Sequence, residues 1–256
     1  MSVLSDTVNQ AAAQQKDNLC GPFWAARVLN ESGFTEWEGE PVDEDLVAMH
    51  AGTVLPDSDT GVSVPPGAVS RTAYRYELPV APVKASGTSP RGLMNAIESA
   101  SGGTLRCVPI RGKWTEARIE RLVDEAPRLK ARLIANLCTG RLWGSRPPLE
   151  ILLAELEGKP VSDPAADWDV GHFVELAMLV RGPRRSLVVV RDSYPSLGWA
   201  GHHAQPARVL AAALLRGDGR EGGVLAVIPH DGVDAVVALA TELGLDIGTW
   251  NNGTGG

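Results

Sequence analysis

Cysteine is scarce in this chain: Cys20, Cys107 and Cys138 are the only three in 256 residues, and they form neither a CxxC pair nor a metal-ligand spacing. An odd count without a framework excludes a disulfide-stapled fold and fits reduced thiols in a cytoplasm. Basic stripes are absent too. Lys and Arg number 24 against 31 Asp and Glu, and the resulting charge of -7 favours solubility and gives no footprint for nucleic acid. No apolar run approaches the length that spans a bilayer, and Met1–Asp6 has neither the basic start nor the apolar core of a signal peptide. Internal repeats and a phosphate-binding glycine loop are also missing. The expectation is a cytoplasmic protein with no cofactor, no metal, and no nucleic-acid or membrane partner. Its Gly and Ala abundance, with Arg favoured over Lys, is the usage of a GC-rich bacterial genome.

What is present is an ordinary globular composition, 44% hydrophobic and 21% charged, enough for one large domain or two lobes. Residues 1–19 read as a helix or extended arm. A helix follows from Cys20 to Asn30, with Trp24 and Val28 on one face and Gly33 as its stop. Residues 43–51 read as a second helix, and 52–89 as irregular loop. Ser89-Pro90 opens a third helix. Strands are expected at 104–110 and 133–138, and as a hairpin formed by 171–180 and 186–192 across Arg181–Arg185. Further helices fall near 114–126, 149–157, 206–216 and 233–243, with a strand at 223–228. The predicted class is α+β: a helical lobe (about 1–130) against a mostly antiparallel sheet lobe (about 131–244), within one domain spanning 1–244. Residues 245–256 are expected as a flexible tail ending Gly255-Gly256.

Four residues carry chemistry. Cys20 opens its helix, where unsatisfied N–H groups and the macrodipole favour an anion. A free thiol, with a pKa near ~8.5, is mostly protonated at neutral pH and needs such help to act as a nucleophile. His172 is one of five histidines and sits in an apolar strand. Asp192 ends the next strand, twenty residues on, where a hairpin of that length can bring a carboxylate beside the imidazole. Gln14, six residues before Cys20, can offer an amide N–H to an oxyanion, and Gln15 beside it competes for that role. Each has a plainer reading: a buried structural Cys, a core His, a turn-forming Asp. Cys107 and Cys138 read as strand-core residues, and His202-His203 as loop residues.

These blocks resemble the papain-like clan of cysteine peptidases, in two branches. Gln14, Cys20-Gly21 and Gly171-His172-Phe173-Val174 are similar to double-glycine peptidases that remove leader peptides from bacteriocins, although Leu19 replaces a polar residue there. Cys20-Gly21-Pro22 and Asp192…Tyr194-Pro195 resemble phytochelatin synthase, a gamma-glutamylcysteine transferase. The resemblance covers about a quarter of the chain. It implies a two-lobed papain-like fold with Cys20 as nucleophile, His172 as base and acid, Asp192 as its orienter and Gln14 as oxyanion donor. The implied substrate is a peptide or a small amide or thioester, with hydrolysis and acyl transfer both open. It also suggests that Gly255-Gly256 mimics a product. The alternative is a binding module that keeps the fold without catalysis.

Overall fold

The computed structural model describes residues 14–58 and 64–254. Local chemistry accounts for where the elements start and stop. Helix α1 (Cys20–Glu31) begins at the Cys20-Gly21-Pro22 turn, and Gly33 beyond its end takes the left-handed φ of +90°. In α2 (Glu44–His50) the Asp43 carboxylate accepts the Leu46 N–H at 2.8 Å, and in α3 (Pro90–Ala100) the Ser89 hydroxyl accepts the Gly92 N–H at 3.0 Å. Such a cap is worth ~1 kcal/mol. Around α2 lie only two-residue strands: β1 (Glu36–Trp37) with β2 (Glu40–Pro41), and β3 (Leu55–Pro56) with β4 (Val80–Ala81).

The body of the protein is one sheet. Its strands are β5 (Leu105–Arg111), β6 (Arg132–Cys138), β7 (Gly171–Arg181), β8 (Ser186–Arg191), β9 (His202–Pro206), β10 (Gly223–Pro229) and β11 (Asp246–Ile247). They run in the order β11-β5-β10-β6-β7-β8-β9, with every neighbouring pair antiparallel. Between them come α4 (Glu116–Glu125), α5 (Leu149–Leu156), α6 (Ala207–Leu215) and α7 (Val233–Glu242). The class is therefore α+β, with seven helices and one large antiparallel sheet among the described residues.

Helices cover both faces of that sheet. Trp24, Val28 and Leu29 of α1 and Leu93 and Ile97 of α3 pack on Cys107, Ile134, Phe173, Leu225 and Val227. On the opposite face, Ile119 and Leu122 of α4, Leu210 and Leu214 of α6 and Val236 of α7 pack on Val108, Leu133, Val174, Val188 and Val190. Neighbours such as Cys107/Val108 and Phe173/Val174 divide between the two cores because side chains alternate along a strand.

Three expectations change. The sheet takes β5 from the first 130 residues and β11 from beyond residue 244, so the boundary drawn near residue 130 does not separate helices from sheet. Residues 245–254 are built into the body: Leu245 and Trp250 are buried, and the Trp250 indole N–H donates to Asn136 Oδ1 at 3.1 Å. Gly223 makes room for that indole, since a Cβ there would lie 2.3 Å from the ring. The product-mimic idea falls on Gly255-Gly256, which lie outside the described residues. Thirdly, His202 and His203 belong to strand β9 and not to a loop, with His203 buried. Among the described residues, no helix is long and apolar enough to cross a membrane.

One irregularity sets up the site. From Arg181↔Ser186 to Met178↔Val189 the β7–β8 ladder keeps one register, then shifts so that Leu176 faces Val190 and Glu175 faces Arg191. This is a β-bulge, two residues against one. Continued one step, the shifted register sets Asp192 opposite Val174, on the same face as His172. The unshifted register would set it opposite Glu175, on the other face. The bulge also turns Arg191 the other way, where it donates to Glu175 Oε2 at 2.6 Å and lies over the Trp24 ring.

Candidate active site

Cys20 is the first residue of α1, and no side chain caps that helix start. The start is anchored on both sides. Leu19, unexpected beside the thiol, is fully buried against Ala48 and Leu78. Asn18 just before it adopts a left-handed φ of +64°, which its short polar side chain tolerates. Asp17 exchanges hydrogen bonds with the segment around Ser70 and Arg71, including Arg71 N–H to Asp17 Oδ1 at 3.0 Å. Gly21 then lies so close to β7 that a Cβ would sit 3.2 Å from the Phe173 ring. The residue after the thiol thus docks on the residue after the imidazole.

His172 is buried, and its Nε2 lies 3.2 Å from Asp192 Oδ1. That oxygen also accepts the Tyr194 N–H at 3.0 Å. The second Asp192 oxygen stands 4.0 Å from His203 Nε2. Gln205 Nε2 lies 3.0 Å from His203 Nδ1, which makes Nδ1 the acceptor and leaves Nε2–H pointing at the carboxylate. Trp168 closes the site edge-on, its ring centroid 5.1 Å from that of His172.

Burial by itself would lower the His172 pKa. The Asp192 charge, the Cys20 sulfur and hydrogen bonds to both outweigh it and raise the imidazole to about 10. For Asp192 burial pushes upward, but His172 and then His203 hold the carboxyl below its usual range. With Nε2 committed to Asp192, Nδ1 is the nitrogen left for Cys20. Cys20, His172 and Asp192, drawn from a helix start and two strand ends, therefore come together.

Gln14 does not join them. Its amide clasps the Val69 backbone, donating to the carbonyl and accepting the N–H at 3.4 Å. Gln15 lines the cleft instead, because neighbouring side chains on an extended segment point to opposite sides. Its backbone N–H donates to the Ser193 carbonyl at 3.2 Å, its Oε1 accepts the Ser193 hydroxyl, and its Nε2 donates to the Lys16 carbonyl at 3.0 Å. One amide hydrogen has no partner among the described residues. Gln15, not Gln14, is thus the side-chain amide available to an oxyanion.

The cleft has a volume of about 310 Å³ and is lined by Gln15, Cys20, Asn136, Trp168, His172 and Arg216 among others. That is the lower end of the range for small-ligand sites. Sequence reasoning missed Ser193, whose place beside Asp192 was a signal, and Trp168, Asn136 and His203, for which no local pattern exists. It also misplaced Cys138, which is half-exposed and donates to Asp169 Oδ1 at 3.2 Å. Burial pushes the Cys107 thiol up, and burial with the Asp169 carboxylate pushes the Cys138 thiol up. Among the described residues, no group of three or more His, Cys, Asp or Glu is placed to hold a metal ion.

A model of a family of unknown function, DUF6885, matches residues 5–251, and the chain belongs to that family. No curated protein and no solved structure matches it.

Proposed function

We propose that this protein is a papain-like cysteine enzyme of the cytoplasm that cleaves or transfers an acyl group. Cys20 is its nucleophile, His172 its proton carrier, Asp192 the orienter of the imidazole and Gln15 the oxyanion donor. The observation that carries this is the position of His172: its Nε2 is 3.2 Å from Asp192 Oδ1, and it lines one cleft with Cys20, whose neighbour Gly21 lies against Phe173. A buried histidine that served packing alone would need only one satisfied nitrogen and no thiol.

The Cys20 sulfur attacks the carbonyl carbon of an amide or thioester, and the carbonyl electrons move to oxygen. That oxygen accepts a hydrogen bond from the Gln15 amide. As the tetrahedral adduct collapses, the bond to the leaving nitrogen or sulfur breaks. His172 Nδ1 gives that leaving group its proton, and an acyl-thioester remains on Cys20. Water or an amine then attacks the thioester, losing its proton to His172, and Cys20 is released. Asp192 stays ionised throughout and keeps the imidazole in place. Water as acceptor gives a peptidase, an amine gives a transferase, and peptide maturation is the process that the double-glycine resemblance suggests.

Two measurements test this reading. Iodoacetamide should modify Cys20 stoichiometrically, and faster than Cys107 or Cys138. p-Nitrophenyl acetate should release a burst of one p-nitrophenol per chain with an acetyl group trapped on Cys20. Cys20→Ala and His172→Ala should abolish the burst with the fold intact, and Asp192→Asn should slow it less than either. An equal burst from wild type and Cys20→Ala would end the enzyme reading.

A further inference from the structure

The cleft does not end at His172. Past Gly171 it continues into a second cavity of about 330 Å³, and the two share Asp169, Val170, Gly171, Arg216 and Arg220. Arg141 and Asp218 also line the second cavity. Three arginines thus converge in a chain whose net charge is -7. Of the two carboxylates there, Asp169 accepts the Cys138 thiol and Asp218 lies against Arg216.

Arg216 is held unusually for a residue that merely ends a helix. It caps α6 with φ 59° and ψ -105°, a region that residues with a Cβ rarely occupy. Its side chain is 1% exposed, and Nε and Nη2 donate to the two oxygens of Asp218 at 3.1 and 2.8 Å. This leaves Nη1. The guanidinium lies over Gly171, the residue before His172: a Cβ there would be 2.9 Å from Nη2 and 3.1 Å from Nη1. A half-exposed aspartate two residues away could have been met by Arg216 at the surface. A costly backbone conformation and a missing Cβ instead fix a buried cation beside the reacting centre, and an arginine fork matches a carboxylate.

We propose that Arg216, backed by Arg141 and Arg220, binds a carboxylate of the substrate, so that the amide or thioester attacked by Cys20 carries a carboxylate close to its carbonyl. The proposal rests on Cys20 being the nucleophile. It supplies the substrate class that the nucleophile and histidine leave open.

The test uses two alkylating pairs that differ only in charge: iodoacetate against iodoacetamide, and N-iodoacetylglycine against its amide. Cys20 alkylation rates are measured in wild type and Arg216→Gln. For at least one pair the acid-to-amide rate ratio should fall about tenfold in Arg216→Gln, the loss of one charge-assisted hydrogen bond. Any general change in Cys20 reactivity is common to both reagents of a pair, any attraction by the His172 imidazolium is common to both proteins, and both cancel in the comparison of ratios. If Arg216→Gln does not fold, wild type alone decides, because N-acetylglycine should then protect Cys20 from iodoacetamide better than N-acetylglycinamide. Unchanged ratios in a folded variant, or equal protection, overturn the carboxylate site and leave the nucleophile standing. A Cys20 inert to all four reagents would bring down the nucleophile and this proposal together.

Discussion

Ser193 and Gln15 hold each other by two hydrogen bonds, Gln15 N–H to the Ser193 carbonyl at 3.2 Å and the Ser193 hydroxyl to Gln15 Oε1. Since Ser193 follows Asp192, one short turn holds both the carboxylate beside the histidine and the glutamine that lines the cleft with Cys20. Gln15→Ala should therefore lower kcat by ~10²–10³-fold, the usual effect of removing an oxyanion donor. Ser193→Ala should cost about fivefold through a loosened amide, since a hydrogen bond of this kind is worth ~1 kcal/mol. Gln14→Ala should leave kcat within about twofold, because its amide serves Val69. Steady-state kinetics with an activated ester would decide, and a larger loss at Gln14 than at Gln15 would reverse the assignment.

Gly21 and Phe173 set a second dependence. Gly21→Ala gains ~0.5–1 kcal/mol of helix preference but forces a methyl to within 3.2 Å of the Phe173 ring. Overpacking of this kind costs ~1–3 kcal/mol. The variant should be no more stable than wild type in urea and slower in Cys20 alkylation, because the helix start is displaced from His172. Adding Phe173→Leu should restore the alkylation rate. A Gly21→Ala protein that is more stable and equally reactive would show that this contact does not position the thiol.

The pH dependence of stability follows from the His172–Asp192 pair. His172 is raised from 6.5 to about 10, so its contribution is complete below pH 6.5 and fades as pH climbs toward 10. Asp192 is lowered from 3.8, so its contribution is complete above that pH and fades as acid titrates the folded carboxyl. Wild type should thus exceed Asp192→Asn in thermal midpoint most between about pH 4 and 6.5, and by a shrinking margin above. A margin that widens from pH 7 to 10 would mean that His172 is held neutral.

The end of the described chain should behave as core. Trp250→Ala removes an indole that is 4% exposed and its hydrogen bond to Asn136. Losses of buried Trp run at ~3–5 kcal/mol. Truncation after residue 249 should cost at least as much in urea unfolding. If either change shifted stability by less than about 1 kcal/mol, this segment would be an accessory and not part of the fold.

Much of the architecture was legible because its signals are local. Ser89-Pro90 and the Arg181–Arg185 hairpin act within a few residues, and the start of α3 and the β7–β8 turn fall where those signals put them. Cys20, His172 and Asp192 were legible for the same reason, each standing at the end of a recognisable element. The failures were matters of facing. Spacing from Cys20 favoured Gln14, but the side to which an extended residue points depends on what it rests against, here Val69 for one glutamine and Ser193 for the next. Strand β9 was hidden by polar residues whose needs are met from far away: Gln205 exchanges two hydrogen bonds with the Trp143 backbone, at 2.8 and 2.9 Å. The seat of Trp250 depends on Gly223, 27 positions earlier, a relation that no periodicity records.

The β7–β8 bulge has a consequence for inheritance. Between it and the site, each strand must keep its length, because the loss or gain of one residue in 172–176 or 190–192 would send an imidazole or a carboxylate to the wrong side. Beyond it, from Met178 to Val189, the hairpin reports to nothing in the cleft. Relatives in which this arm is longer or shorter by matched pairs of residues should keep the site intact. Relatives whose arm changed by an odd residue on one strand should carry a second compensating bulge, or have lost the histidine and aspartate together.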